Sequence, residues 1–149
     1  MLNVLVVLSG IPASGKTTYR KKFEKLDFDV VCPDDIREDL YGNASIQGDG
    51  NKVFETAYTR LKLIGMRDGH AVFDATNCSA KRRAEFVSEM RDYYDIIVCH
   101  YFRPNLERAL AQNSQRDRVV PTSVIRRMAN QWEEPTTVEG FDIVLEIKY

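Results

Sequence analysis

The chain has 149 residues, of which 44% are hydrophobic and 29% are charged, and its formal net charge at pH 7 is −1. This length and composition are typical of one globular domain, which we expect to span residues 1–149. The nearly neutral charge excludes a protein that coats nucleic acid through a global basic field, but it leaves open an enzyme that binds one nucleic-acid end.

The cysteines and the apolar segments bear on the cellular location. The three cysteines are odd in number and lack metal-ligand spacing, which favours reduced, structural thiols: Cys32, Cys78 and Cys99. The apolar N-terminal run superficially resembles a signal peptide, but it lacks a basic region, and cleavage after it would destroy the glycine-rich motif described next. No run approaches membrane-spanning length. We therefore expect a cytoplasmic protein without a membrane partner.

The first predicted strand, residues 4–8, leads into a glycine-rich segment, Gly10-Ile11-Pro12-Ala13-Ser14-Gly15-Lys16-Thr17, and a helix predicted over 16–25 follows. The segment fits G-x-x-x-x-G-K-[ST], the loop that wraps the phosphates of a nucleoside triphosphate. Its backbone N–H groups and the helix N-terminus would face an anion, because glycine permits the conformations this requires. A glycine turn that binds nothing is the alternative. The candidate cofactor-binding residues are Gly10, Pro12, Ala13, Ser14, Gly15, Lys16, Thr17 and Thr18, with Thr17 as a ligand of Mg²⁺.

A second predicted strand, residues 28–32, ends at a proline and brings charged residues to the same edge of the sheet. Asp34 or Asp35 could accept a proton from an acceptor hydroxyl or orient it. The alternative is a helix N-cap followed by a first-turn acid. Arg37 could hold an acceptor phosphate bidentately, and a plain surface arginine is the alternative.

The third predicted strand, residues 71–73, delivers Asp74-Ala75-Thr76-Asn77 to this edge. Before it, residues 41–51 have the composition of a loop. An amphipathic helix is then predicted from the spacing of Val53, Ala57, Leu61 and Ile64. Asp74 could orient Arg37 or reach a metal through water, and a structural carboxylate is the alternative.

The remaining elements follow the same alternation of helix and strand. Ser79 is predicted to cap a helix, residues 96–102 form the fourth strand, and Pro104 falls in the first turn of a short helix. Pro121 opens another helix, and residues 143–147 form the last strand. The inner faces of the two longer helices are predicted to be Phe86, Val87, Met90 and Tyr94, and Val124, Ile125, Met128 and Trp132. Strands alternating with helices predict an α/β fold, a parallel sheet covered on both faces.

Residues 113–120 are predicted to form a short, mobile lid. Arg116 or Arg118 could move over the triphosphate and neutralise charge as it develops, whereas a solvated basic loop is the alternative. Two further basic clusters, Lys81-Arg82-Arg83 and Arg126-Arg127, could contact a polyanionic acceptor, although charged helix faces are usually only solvated. The two histidines, which flank or end strands, are expected to have core or surface roles: His70 and His100.

These segments, in this order, resemble the kinase domain of the 5′-polynucleotide kinases of phages and eukaryotes. The resemblance rests on residues 10–18, Pro33-Asp34-Asp35-Ile36-Arg37, Phe73-Asp74-Ala75-Thr76-Asn77 with Arg82-Arg83, residues 113–116 with Val120-Pro121, and the tail segments 131–135 and 139–141. It implies a three-layer, adenylate-kinase-like P-loop kinase fold in which the phosphate-loop strand is central. It also implies ATP-dependent transfer of the γ-phosphate to the 5′-hydroxyl end of DNA or RNA, with Mg²⁺.

The resemblance also implies residue roles. Lys16 and Thr17 would hold the triphosphate and the metal, and Asp34 would be the general base. Arg37 would hold the adjacent phosphate of the acceptor with support from Asp74, and Arg116 would be the lid arginine on the donor phosphates. The implied substrate-binding residues are Asp34, Arg37, Asp74, Thr76, Asn77 and Arg82. The sequence departs from the family at Gln112, where some phage enzymes have arginine, which leaves Arg118 as a substitute in the lid. The phosphatase motif Asp-x-Asp-x-Thr is absent.

Two other functions remain open at this stage. A small-molecule kinase on the same scaffold would phosphorylate a sugar, a nucleoside or an antibiotic. A nucleotide-binding regulatory module would bind ATP without transferring phosphate, but it would not need Asp34 and Arg37 on the acceptor side. A GTPase switch is disfavoured because Asn51-Lys52-Val53-Phe54 lacks the final aspartate of the guanine-reading motif.

Overall fold

Five strands in the described part of the chain form one parallel sheet with the strand order β2-β3-β1-β4-β5. The structure is a computed structural model that describes residues 2–43 and 50–148. The strands are β1 (Val4–Ser9), β2 (Phe28–Val31), β3 (His70–Asp74), β4 (Ile96–Tyr101) and β5 (Ile143–Glu146). The parallel α/β sheet and the central position of the phosphate-loop strand are therefore confirmed.

Helices cover both faces of this sheet. They are α1 (Lys16–Glu24), α2 (Pro33–Tyr41), α3 (Gly50–Met66), α4 (Ala80–Met90), α5 (Leu106–Asn113) and α6 (Thr122–Gln131), with one 3₁₀ turn at Thr137–Glu139. Alternate residues of β1 point to opposite faces. Leu5 and Val7 enter the larger apolar cluster with residues of α3 and α4, whereas Val6 and Leu8 enter a second cluster with Tyr19 of α1. The expected arrangement of three layers, with helices on both faces of the parallel sheet, is thus confirmed.

Several helix starts differ from the sequence-based expectation. Helix α2 begins directly at Pro33, and the N-cap position belongs to Cys32, so neither Asp34 nor Asp35 is the N-cap. Both acids lie in the first turn, where the helix dipole favours negative charge. Pro104 lies before α5 rather than in its first turn, because Asn105 caps that helix by accepting a hydrogen bond from its backbone.

The predicted cap of α4 is confirmed, whereas the loop before α3 is shorter than predicted. Ser79 caps α4 by accepting a hydrogen bond from the backbone N–H of Arg82 at 3.3 Å. The loop predicted over 41–51 is shorter on both sides, because α2 includes Tyr41 and α3 begins at Gly50. Its central part, residues 44–49, lies outside the described residues. Within the described ranges, no helix combines the length and the apolar character that crossing a membrane requires.

Arg83 lies inside the protein, contrary to the prediction of a basic surface cluster at residues 81–83. Its side chain is 1% exposed and forms an ion pair with Glu139, which is 8% exposed. The guanidinium also donates to the backbone oxygens of Asn77, at 2.7 Å, and Glu133, at 2.8 Å. The residue therefore ties α4 to the 3₁₀ turn and to the loop after β3.

We expect that Arg83→Leu lowers the free energy of unfolding by about 3–5 kcal/mol, because it leaves the Glu139 carboxylate buried without its partner. Arg82→Leu is the matched control, since Arg82 is exposed and its replacement is expected to cost less than about 0.5 kcal/mol. Urea unfolding of the two variants measures the difference. Equal losses in both would contradict the structural role of Arg83.

Candidate active site

The phosphate loop between β1 and α1 needs its two glycines for different reasons. Gly15 has φ = 99°, a left-handed conformation that strains residues with a Cβ atom. A Cβ atom on Gly10 would lie 2.8 Å from Oγ of Ser14 and 3.1 Å from Cβ of Phe102, so close packing excludes a side chain there. Ala13 also has a positive φ, 64°. This succession of conformations curves the backbone in front of the α1 N-terminus, where anions are favoured.

Lys16 is the buried cation of this loop. Its Nζ atom donates to the backbone oxygens of Gly10, at 2.8 Å, and Ile11, at 2.9 Å, and contacts Oγ of Ser14 at 3.4 Å. Burial lowers the pKa of Lys16; the Asp74 carboxylate opposes this shift. The ammonium group is therefore held against the loop, at the first turn of α1.

A second cation, Arg116 of the lid, acts electrostatically on this lysine. Burial lowers the pKa of Lys16, and the positive charge of Arg116 adds to this shift. The Nη1 atom of Arg116 is buried and has no hydrogen-bond partner among the described residues. Two cations that act on each other, one with an unsatisfied buried donor, are an arrangement that suits a bound polyanion.

Asp74, at the end of β3, pairs with a residue that sequence analysis did not select. Its Oδ2 atom accepts a hydrogen bond from Nη1 of Arg20 at 2.9 Å, and Arg20 also reaches Asp35 at 3.4 Å. The expected support of Arg37 by Asp74 is therefore corrected, because Arg20 is the recorded ionic partner of Asp74. The sequence signal for Arg20 is its position four residues after Lys16, on the same face of α1.

Asp34, rather than Asp74, forms the ion pairs with the arginines on the acceptor side. Its Oδ1 atom accepts from Nη1 of Arg37 at 2.7 Å, and its Oδ2 atom accepts from Nη2 of Arg118 at 3.3 Å. The Asp34 side chain is 45% exposed, whereas that of Arg37 is 16% exposed. Since a carboxylate oxygen can accept two hydrogen bonds, both oxygens of Asp34 keep room for a further donor.

The predicted lid is a loop closed at its base by one side chain. The amide of Asn113, at the end of α5, donates to the backbone oxygen of Val120 at 2.7 Å and accepts from the N–H of the same residue at 2.9 Å. Asn113 is 2% exposed, so this closure is buried. With its amide oriented to satisfy both neighbours, Gln112 donates to the oxygen of Ala13 at 3.0 Å. Gln112 thus supports the phosphate loop.

The other candidate residues on this edge divide into structural and exposed groups. Asn77 donates through its amide to the oxygen of Leu8 at 2.7 Å, so it joins the ends of β1 and β3. The backbone oxygen of Thr76 accepts a hydrogen bond from the backbone N–H of Gly10 at 2.9 Å. Trp132 donates to Oγ of Ser9 at 3.1 Å, just before the phosphate loop. Three candidates are exposed, namely Thr17, Thr18 and Arg82, whereas Pro12 is partly buried.

The thiols and possible metal ligands give less information about the chemistry. All three cysteines are free, and Cys32 and Cys99 are buried. Burial raises the pKa of Cys32 to about 11, which makes it a poor nucleophile at neutral pH. In the described part of the chain, no group of three or more His, Cys, Asp or Glu side chains could hold a metal ion.

Comparison with known proteins places this site in a family. A family model described as an AAA domain, AAA_33, matches residues 5–135. The chain belongs to this family. The matched range contains the phosphate loop, Asp34, Arg37, Asp74 and the lid, so the AAA domain includes every part of the candidate site.

Individual proteins to which this AAA domain is similar share less than a quarter of their aligned residues with it. The chain is 23% identical over 152 residues to an L-seryl-tRNA(Sec) kinase of Methanococcus maripaludis, an alignment that covers 94% of this chain and 56% of the relative. It is similar to a chain of the Pnkp1/Rnl/Hen1 RNA repair complex, with 22% identity, a TM-score of 0.79, and coverage of 95% and 47% of the two chains. A gluconokinase from Sinorhizobium meliloti 1021 shows 15% identity, a TM-score of 0.61, and coverage of 95% and 80%. The chain thus spans about half the length of the first two proteins.

Proposed function

We propose that this AAA domain is an ATP-dependent polynucleotide kinase, which transfers the γ-phosphate of ATP to the 5′-hydroxyl end of DNA or RNA. The observation that carries the proposal is the contact of Asp34 with both Arg37 and Arg118. Arg118 stands two residues after Arg116, and two residues span at most about 7 Å of backbone. A short stretch of lid thus has one arginine whose charge acts on the buried lysine of the phosphate loop and another that contacts a carboxylate of α2.

The residues of the phosphate loop fit ATP and Mg²⁺. The curved backbone at Ala13 and Gly15 leaves N–H groups for the phosphates, and the buried, unsatisfied donor of Arg116 suits the same polyanion. Magnesium ions usually take one or two protein oxygens and complete their shell with water and substrate phosphates. The exposed Thr17 hydroxyl would hold the ion, which would neutralise charge on the β- and γ-phosphates.

The proposed reaction assigns one role to each side chain of the acceptor half. Asp34 accepts the proton of the 5′-hydroxyl while the hydroxyl oxygen forms a bond to the γ-phosphorus. The bond between this phosphorus and the β,γ-bridging oxygen breaks, and ADP leaves. Arg37 holds the phosphate next to the attacking hydroxyl, and Lys16 with Arg116 stabilises charge on the transferred group. Arg20 keeps the Asp74 carboxylate in place beside the loop.

A second candidate is a kinase for a different alcohol. The curated relative is named for a seryl-tRNA substrate, and a gluconokinase shares the fold, so both a hydroxyl attached to RNA and a sugar hydroxyl are reasonable acceptors. Arg37 favours the polynucleotide, because its buried Nε donor has no hydrogen-bond partner among the described residues and a neutral sugar carries no phosphate that could accept from the guanidinium.

An acceptor panel with labelled ATP tests this proposal. We expect kcat/KM for a 5′-hydroxyl oligonucleotide to exceed that for gluconate or a free nucleoside by about 100-fold, because the neutral nucleoside and gluconate lack the phosphate that Arg37 would bind. An oligonucleotide that already has a 5′-phosphate is the matched control, and it should accept no label. Faster transfer to seryl-tRNA or to a sugar would reject the polynucleotide acceptor. Binding of ATP without transfer to any acceptor would reject a kinase.

A further inference from the structure

The two arginines of the lid have different surroundings. Arg116 acts electrostatically on Lys16 of the phosphate loop, and its Nη1 atom is buried without a hydrogen-bond partner among the described residues. Arg118 points to α2, where its Nη2 atom donates to Asp34 at 3.3 Å. The buried amide of Asn113 closes the base of the lid, so the two arginines belong to one anchored loop.

Arg118 and Arg37 together make the surroundings of Asp34 cationic. Each guanidinium uses a different oxygen of the carboxylate, so the three side chains form one group. Two positive charges and one negative charge leave a net charge of +1 at neutral pH. Arg37 also has a buried Nε atom without a hydrogen-bond partner among the described residues. This combination favours an acceptor that is itself an anion.

We propose that Arg118 is an acceptor-side specificity residue, which together with Arg37 binds a phosphate group carried by the acceptor next to its reacting hydroxyl. This inference rests on the proposed function and extends it. The sequence suggested that Arg118 could contact the donor phosphates, whereas this inference assigns it to the acceptor. The two arginines of one lid then serve different substrates. Arg116 acts on ATP, and Arg118 acts on the alcohol.

The same contact is unimportant for the fold. The side chains of Arg118 and Asp34 are 37% and 45% exposed, and ion pairs with such exposure contribute little to stability. Variants at Arg118 are therefore expected to fold with an unchanged melting temperature, so changes in their kinetics can be assigned to the site.

The test compares two acceptors that differ by one phosphate, a nucleoside 3′-phosphate and the same nucleoside, each with a free 5′-hydroxyl. For Arg118→Ala we expect kcat/KM for the 3′-phosphate to fall about tenfold, with little change for the nucleoside and with KM for ATP within about twofold of wild type. Arg118→Lys should restore part of the loss, because lysine keeps the charge without the planar fork. Arg67→Ala, at an exposed arginine just after α3 that belongs to no candidate site, is the matched control and should leave both acceptors unaffected.

Arg116→Ala provides the contrast, since it should lower kcat and raise KM for ATP with both acceptors alike. If Arg118→Ala has that same effect and the acceptor ratio stays at its wild-type value, the assignment of Arg118 is overturned. If wild type phosphorylates no oligonucleotide, but Arg118→Ala still loses its discrimination between phosphorylated and neutral alcohols, the polynucleotide proposal falls and the role of Arg118 stands. A wild-type enzyme without any such discrimination would overturn both.

Discussion

Replacement of Asp34 by asparagine is expected to reduce kcat for a 5′-hydroxyl oligonucleotide by about 10²–10⁴-fold, the usual contribution of a general base. The amide has nearly the shape of the carboxylate but cannot accept the hydroxyl proton. Because Asp34 is half-exposed, the variant should keep the melting temperature of wild type. Single-turnover transfer from labelled ATP measures the chemical step directly.

Two neighbouring aspartates make this prediction specific. Asp35→Asn separates the two candidate bases of the sequence, since Asp35 contacts Arg20 and is 54% exposed. Asp39→Asn is the control on the same helix, with a side chain that is 64% exposed and a long, 3.8 Å ion pair to Arg60. We expect both variants to stay within about threefold of wild-type kcat. A large loss in Asp35→Asn, with Asp34→Asn nearly active, would exchange the two roles.

Lys16→Met is expected to lower kcat by about 10²–10³-fold and to weaken ATP binding, because it removes a buried positive charge from the phosphate loop. Methionine approximates the length of the lysine stem. It leaves the backbone oxygens of Gly10 and Ile11 without this donor, so the melting temperature must be measured beside the kinetics. Lys21→Met, at an exposed position of α1, controls for loss of charge and should behave as wild type. Full transfer activity in a folded Lys16→Met variant would contradict the proposed ATP site.

The main features of the fold could be predicted because they depend on short patterns. The apolar runs of β1, β3 and β4 and the glycine motif determine a parallel sheet with the phosphate loop at its centre. The predicted start of α5 was wrong. Proline is acceptable just before a helix as well as in its first turn, and the side chain of Asn105, which caps α5, decides the boundary.

The contacts within the site were harder to predict, because charged residues choose their partners in three dimensions. The sequence places Asp74 and Arg37 at one edge of the sheet, but it does not show that the side chain of Arg20, on α1, reaches the end of β3 and pairs with Asp74. In the same way, Arg83 looks like part of a basic surface run, and only the fold brings Glu139 to it in the interior. Catalytic roles of individual residues remain predictions for the kinetic experiments.

The buried amide of Asn113 has a consequence for how this scaffold can change its substrate. A single side chain closes the loop from both ends, so the length of the loop can change between residues 114 and 119 while the anchor and the two arginines are kept. Lengthening a loop is cheap, at roughly 0.6 kcal/mol for each doubling. Related enzymes can therefore evolve a longer or shorter cover for larger or smaller alcohols without rebuilding the domain beneath it.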